Sequence, residues 1–454
     1  MKQLYKFFHT IGLFLLKIWI WIAIRIYYRR IKVIGSEKVP RGVPVIFAPN
    51  HQYAFMDALI IVIASRKIPY FLVRGDIFKS SIASFLLRSL RMMPVYRQRD
   101  NVNVLSKNEA IFNRCVEILH NRQRLVIFPE GNHSKIRKIR PMRKGVFRIG
   151  FRAINENPQS KDLVVIPVGI NYDDHSKFQS DLLVRFGDPI KLEEYNQEYN
   201  ESPAKTFSDL SGKLYESLVD LTINIKNAES YKFYENILKI YTPHFMRQLK
   251  LNYRSLLKRF SAYKEIISCM DDLKERNADD FKKFEADNNK FFKQRLRSEF
   301  DPVYLGNFFD SKLQRFINYL VLILFWPIYM YGLINNLLAI SLPYFIGKMA
   351  VKDDHFLSSV KLSIGLISFP LSYTIQAIIF YQFFPNLWLV LAYIISIIIT
   401  GILAKTYQNW IHRFWEMFKI WLLRMSSMME FARIKRSYID LIEKLDKNLI
   451  KSSK

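Results

Sequence analysis

Between Val43 and Ile190, short apolar runs bounded by turn residues alternate with stretches of helical pattern. Val43–Ala48, Tyr70–Val73, Leu125–Phe128 and Leu163–Ile170 have the length and closed apolar character of buried strands. Ala54–Ser65, Lys79–Arg91 and Val104–Asn121 read as the helices between them. Alternation of this kind predicts an α/β domain, a mixed sheet flanked by helices. Ser202-Pro203 then supplies an N-cap and a first-turn proline. From there to about Glu299 the chain is charged and helical, with few Gly or Pro, and Trp410–Lys451 is a further amphipathic helical stretch.

Two runs contain no Asp, Glu, Lys or Arg: Phe316–Gly347 and Leu362–Ala404. Each exceeds the ~20 apolar residues needed to cross a bilayer. Phe384-Pro385-Asn386 is a turn signal inside the second run, which predicts spans near 362–381 and 387–404. The first run is interrupted by Pro327, Gly332, Asn335, Asn336 and Pro343, so it is either one span or a broken hairpin that enters and leaves on one side, the hairpin being favoured by the basic flanks of the second run. Lys348, Lys352 and Lys361 precede the pair of spans and Lys405, Arg413 and Lys419 follow it, which puts both flanks in the cytoplasm. Near the N-terminus, Ile11–Ile24 is apolar apart from Lys17, contains Trp19 and Trp21, and is flanked by Lys2, Lys6, Arg25, Arg29 and Arg30. No small-residue cleavage site follows it. A helix in the membrane interface is expected, with a full span as the alternative. The expected organisation is an interface helix at 1–32, an α/β domain at 33–195, a charged helical insertion at 196–315, a helical membrane region at 316–404 and an amphipathic helix at 405–454.

Lys+Arg number 68 and Asp+Glu 40, a formal charge of +28. Such a chain seeks polyanions, and the apolar runs direct that expectation to anionic membrane lipids rather than nucleic acid. The only cysteines, Cys115 and Cys269, exclude a disulfide scaffold and a cysteine zinc site. The histidines outside the motifs below are scattered, so neither a metal nor a cofactor is expected.

Four segments carry candidate chemistry. In Asn50-His51-Gln52-Tyr53-Ala54-Phe55-Met56-Asp57, His51 follows a strand that ends at Ala48, at the mouth of a sheet where α/β ligands bind. Asp57, in the first turns of the next helix, can reach back to fix the imidazole tautomer and leave the other nitrogen as a base; a helix-start Asp beside an exposed His is the plainer alternative. Phe128-Pro129-Glu130-Gly131-Asn132-His133-Ser134 leaves the same end of the sheet. Lys135, Arg137, Lys138, Arg140, Arg143, Lys144, Arg148 and Arg152 follow it without one acidic residue, a solvated or membrane-facing patch or a phosphate holder. Met93-Pro94-Val95-Tyr96-Arg97 is a short strand ending in a guanidinium suited to phosphate. Val165-Ile166-Pro167-Val168-Gly169-Ile170-Asn171 alone is a buried strand.

In this order the four segments resemble the motifs of the glycerolipid acyltransferases, over about residues 40–190. Phe128-Pro129-Glu130-Gly131 carries the strongest match and Asn50-His51 with its Asp the next. Five residues separate His51 from Asp57 where the family usually has four, and Asn132-His133 stands where Thr-Arg is usual. Both departures, and the Gly332-Leu333-Ile334-Asn335 and Pro343 segment, are similar to the membrane glycerol-3-phosphate acyltransferase branch. The resemblance implies an α/β acyltransferase domain that moves an acyl group from acyl-CoA or acyl-carrier protein to a glycerol phosphate. It implies His51 and Asp57 as the catalytic pair. Arg97, Glu130, Gly131, Arg143 and Lys144, with Asn50 and Pro167, would bind substrate. Glu130 would meet the glycerol hydroxyls or order the basic cluster. The preferred acceptor would be glycerol-3-phosphate, with lysophosphatidic acid second. A lipid-binding protein that keeps the α/β shell without catalysis is the competing class.

Overall fold

The computed structural model describes residues 2–78, 84, 87–96, 104–174, 177–298, 300–301, 303–308, 312–350 and 354–449. Two compact units emerge: Met1–Asn224 with Gly347–Leu366, and Ile225–Ile346 with Ile367–Lys454.

The first unit opens with helix α1 (Lys2–Tyr27) and strand β1 (Arg30–Ile34), followed by β2 (Val45–Pro49), α2 (Ala54–Ala64), β3 (Tyr70–Arg74) and β4 (Met92–Val95). It continues through α3 (Val104–His120), β5 (Arg124–Val126), α4 (Gly145–Glu156), β6 (Val164–Tyr172), β7 (Asp181–Phe186), β8 (Ile190–Lys191), α5 (Asn196–Glu201) and α6 (Pro203–Leu221). The strands form one sheet in the order β1-β7-β6-β2-β5-β3-β4, with β8 alongside β6. All pairings are parallel except β6 with β7 and β6 with β8, so the sheet is mixed, as expected.

The alternation of strand side chains builds two cores. Val45 and Phe47 of β2, with Val164, Ile166, Val168, Ile170 and Tyr172 of β6, face α1 and α2. Ile46, Ala48 and Val165 face α3, α4 and α6. Gly169 lies on this second face, where any Cβ would strike the Leu221 carbonyl at the end of α6. Asn171 then closes that end, donating to Leu221 O at 2.9 Å and accepting from Ile223 N at 2.9 Å. Phe207, Leu210, Leu214 and Leu218 of α6 belong to the same core.

The four expected strands and the short one at Met93 are present, and β1, β7 and β8 are additional. β1 was read as a basic membrane flank. Its entry charges are drawn onto the sheet instead, since Arg29 and Arg30 both bind the buried Asp181 carboxylate of β7, which offsets one of the two. The expected helix Lys79–Arg91 lies largely outside the described residues.

The second unit contains α7 (Tyr231–Gln248), α8 (Leu256–Arg276), α9 (Ala278–Ser298), α10 (Val303–Phe308), α11 (Lys312–Ala350), α12 (Asp354–Phe383), α13 (Leu387–Ser426) and α14 (Met428–Leu449), with α11 and α12 running into the first unit near their junction. The expected broken hairpin is instead the single helix α11, with Pro327 and Pro343 inside it. The residues read as interruptions serve helix contact. Asn335 and Asn336 donate to the carbonyls of Tyr331 and Gly332 one turn back. Gly332 lets the backbone of Thr400 in α13 approach. Segments Phe8–Tyr27, Tyr319–Met349, Val360–Phe383 and Leu387–Ser426 are long and apolar enough to cross a membrane.

Candidate active site

β2 and β5 are parallel neighbours, so the loops after both leave the sheet at one end. The first loop carries His51. Asn50 fixes it: its amide donates to Ile170 O at 3.1 Å and accepts from Ile170 N at 2.7 Å. Asn50 is fully buried. Both ends of this amide are committed to the backbone of β6, so Asn50 holds the loop that carries His51.

The chain then turns through Ala54, whose φ of 42° is a left-handed conformation costly for a residue with a Cβ. The turn converges three donors on one carboxylate oxygen. Asp57 Oδ2 accepts from Gln52 N at 2.9 Å and Tyr53 N at 2.8 Å, and lies 2.8 Å from His51 Nδ1. Its other oxygen accepts from the Tyr172 hydroxyl at 2.5 Å. Asp57 is wholly buried, so its charge is held by these donors rather than by water. His51 retains 15% of its side-chain exposure. Phe128 stacks on its ring at 4.0 Å between centroids, and His133 meets it edge-to-face at 5.6 Å. With Nδ1 engaged, Nε2 is the nitrogen left for chemistry.

The second loop supplies Glu130. One carboxylate oxygen accepts from His51 N at 2.8 Å and the other from Arg140 Nε at 2.9 Å. Burial pushes this carboxyl above its ordinary range, opposed by the His51 N–H and Arg140. Of the two roles expected for Glu130, ordering the basic cluster has this direct geometric counterpart. Gly131 follows at φ 71°, and a Cβ there would come within 2.9 Å of Arg143 Nε. Arg143 N in turn donates to Pro129 O at 2.7 Å, folding the loop onto itself.

The basic cluster is divided by its partners. Arg137 binds the Tyr172 and Asp173 carbonyls at 3.2 and 2.6 Å, and Arg152 pairs with Glu109 and Glu156. Arg143 and Lys144 are exposed and have no ion-pair partner among the described residues. Lys144 stands directly before α4, a helix hidden in the sequence by its cations although Val146, Phe147, Ile149, Gly150, Phe151, Ala153 and Ile154 form one buried face. Pro167 is buried in β6 at the point where the antiparallel neighbour changes from β8 to β7, where its missing N–H leaves nothing unpaired. Its carbonyl accepts from Gly187 N at 2.9 Å, which gives Pro167 a role in the sheet. Arg97 lies outside the described residues. Tyr172, Phe128, Arg140 and His133 were not singled out as site residues.

Residues 30–171, the segment that contains His51, Asp57, Glu130 and the basic cluster and stops one residue short of Tyr172, match the family model described as Acyltransferase. This segment is an acyltransferase domain. The chain is similar to glycerol-3-phosphate O-acyltransferase 2 of Saccharomyces cerevisiae, 28% identical over 164 residues, which cover 35% of this chain and 22% of the relative. It is also similar to the chloroplastic 1-acyl-sn-glycerol-3-phosphate acyltransferase LPAT1 of Arabidopsis thaliana, 28% identical over 150 residues, 32% of this chain and 38% of the relative. The chain thus spans about a fifth of the length of the yeast relative. Among solved structures, the 1-acyl-sn-glycerophosphate acyltransferase PlsC of Thermotoga maritima matches with a TM-score of 0.29 and 18% identity, covering 46% of this chain and 88% of that one.

Proposed function

We propose that the chain is a membrane-bound O-acyltransferase that moves a fatty acyl group from a thioester, acyl-CoA or acyl-carrier protein, to glycerol-3-phosphate. The observation that carries the reading is the imidazole of His51 held through Nδ1 by a buried carboxylate, at the mouth of parallel strands in an acyltransferase domain. A free hydroxyl is a poor nucleophile at neutral pH. His51 Nε2 takes the proton as the hydroxyl oxygen attacks the thioester carbonyl carbon, a contribution of about 10²–10⁴-fold. Asp57 holds the tautomer and stabilises the imidazolium. Collapse of the tetrahedral intermediate breaks the C–S bond, and the thiolate takes the proton back from His51. The acceptor oxygen does the work of a serine nucleophile, so no acyl-enzyme is needed.

Arg143, Lys144 and Arg97 hold the acceptor phosphate, with Gly131 keeping Arg143 close. Glu130 orders Arg140 and the His51 loop. The apolar helices and the net charge of +28 support an association with an anionic membrane; in this reading the catalytic unit faces the cytoplasm, as the basic flanks of the apolar runs favour. Lysophosphatidic acid is the second acceptor, a reading favoured by the Arabidopsis relative. The test is thioester release by the purified protein with each acceptor side by side. A kcat/KM higher for glycerol-3-phosphate supports the first reading; a preference of tenfold or more for lysophosphatidic acid selects the second. Release with neither overturns both.

A further inference from the structure

The four motifs end at Asn171, yet the residue that completes the His51 site is the next one. β6 alternates strictly: Val168, Ile170 and Tyr172 face α2, and Gly169 and Asn171 face α6. Tyr172 therefore arrives on the His51 side of the sheet. Its hydroxyl donates to Asp57 Oδ1 at 2.5 Å, the oxygen that the Gln52 and Tyr53 amides leave untouched. The strand end is itself fixed, by Arg137 on the Tyr172 and Asp173 carbonyls and by Asn50 on Ile170. The ring is packed between Tyr28 and Tyr53, at 6.1 and 6.0 Å.

We infer that Tyr172 is a positioning residue for acyl transfer: through Asp57 it sets the orientation and the basicity of His51. This rests on the proposed role of His51 as general base. A carboxylate shared among several donors gives less of its charge to the imidazole. Removing the phenol hydroxyl concentrates that charge on His51, which then holds its proton to higher pH, and it frees Asp57 to rotate. Burial and the Asp57 charge both push the phenol of Tyr172 up, so it stays a donor throughout the working range. The charged and titratable groups around the pair are few. Glu130, with Arg140, meets the His51 N–H; His133 meets its ring; Tyr53 and Tyr28 flank Tyr172. The Tyr28 hydroxyl is buried without a hydrogen-bond partner among the described residues. None of these replaces the hydrogen bond to Oδ1.

The test uses the full-length protein in lipid, with wild type and Tyr172→Phe compared over a pH series. Loss of one hydrogen bond to a buried charge predicts a kcat lower by about tenfold. KM for donor and acceptor should stay within about twofold, and the acid limb of kcat/KM should move to higher pH. Wild-type kcat with an unmoved acid limb overturns the inference. A purely structural role for Tyr172 predicts a lower folded fraction with both the limb and the kcat per folded molecule unchanged, which overturns it as well. Should Tyr172→Phe fail to fold, difluorotyrosine at 172, a more acidic phenol and stronger donor, must move the acid limb to lower pH; no movement is equally fatal. His51 carbethoxylation by diethylpyrocarbonate, followed by mass spectrometry against pH, reads the same shift without turnover. An inactive wild type with a shifted His51 reactivity therefore defeats the acyltransferase reading and leaves the positioning role standing.

Discussion

The His51 main-chain N–H donates to Glu130 across 2.8 Å, so the loop after β2 is fastened to the loop after β5 by a side chain of the second. The same carboxylate takes Arg140 on its other oxygen. Glu130 therefore couples the position of His51 to that of the nearby cations, and two motifs far apart in sequence become one assembly.

Glu130→Gln tests that coupling through pH. The carboxyl is raised in the folded protein, chiefly by burial. Below the ordinary carboxylate range the folded and unfolded states are both protonated and the group contributes nothing. As pH rises through that range, the folded state is penalised for holding the charge. Relative to wild type, Glu130→Gln should therefore melt comparatively higher at about pH 7.5 than at about pH 4. Its turnover should fall, because an amide cannot accept from both His51 N and Arg140. A melting difference that is constant or reversed across that interval rejects the assignment.

His51→Ala should lower kcat at least ~10²-fold in a protein that still folds, as loss of a general base requires. Asp57→Asn should lose much of the same rate, since a neutral amide can still accept at the Oδ2 position but no longer carries the charge that stabilises the imidazolium. More than about a tenth of wild-type turnover in the pure His51 variant would remove the general base from the proposal.

Arg97 and Lys144 should act on acceptor affinity. A cation on a phosphate that is present in both ground state and transition state changes KM more than kcat. Steady-state kinetics of Arg97→Ala and Lys144→Ala with varied acceptor make the measurement. A loss confined to the KM of the thioester would reassign these residues to the donor.

Gly131→Ala should cost about 1–2 kcal/mol for the left-handed backbone, plus the displacement of Arg143, whose Nε stands 2.9 Å from the new Cβ. Adding Arg143→Ala relieves the contact and leaves the backbone cost. Denaturation of the two single variants and the double one separates the terms: strict additivity would show that Arg143 does not pack on Gly131.

In the apolar helices, Asn336 accepts from Tyr373 Oη at 2.7 Å and donates to Ile397 O at 2.9 Å, tying α11 to α12 and α13. Asn336→Ala should lower stability by about 1 kcal/mol and leave the KM values unchanged. An unaltered melting temperature would mean that this junction does not hold the three helices.

Much of this was legible because it depends on period. The parallel strands have closed apolar runs, and the His51–Asp57 spacing places a carboxylate in the first turn of a helix. Tyr172 was equally readable, since a period of two from Val168 and Ile170 puts it on their face; it was passed over because the strand motif stops one residue earlier. β1 and α4 were hidden by charge. Arg29 and Arg30 looked like a membrane flank until Asp181 was found opposite, and Arg148 and Arg152 masked the apolar face of α4. Pro327 and Pro343 suggested a break in α11, yet local helix pattern does not register a glycine such as Gly332 that invites a second helix close.

α1 packs beside α2, and the Lys17 ammonium binds the carbonyls of Ser65 and Arg66, just past the C-terminal end of α2, at 2.6 and 2.9 Å. α2 begins beside the dyad, with Asp57 in its first turn. It is thus a strut, hooked at one end to a helix whose outer face is lined by Phe8, Ile11, Leu15, Ile18, Trp19, Ile22 and Ile26. Its eleven residues measure about 16 Å at ~1.5 Å each. The reach from that apolar stripe to the His51 imidazole is set by the length of a rigid helix and not by a slack linker, so, with His51 as the proposed base, an acyl chain delivered along α1 would meet it at one fixed height.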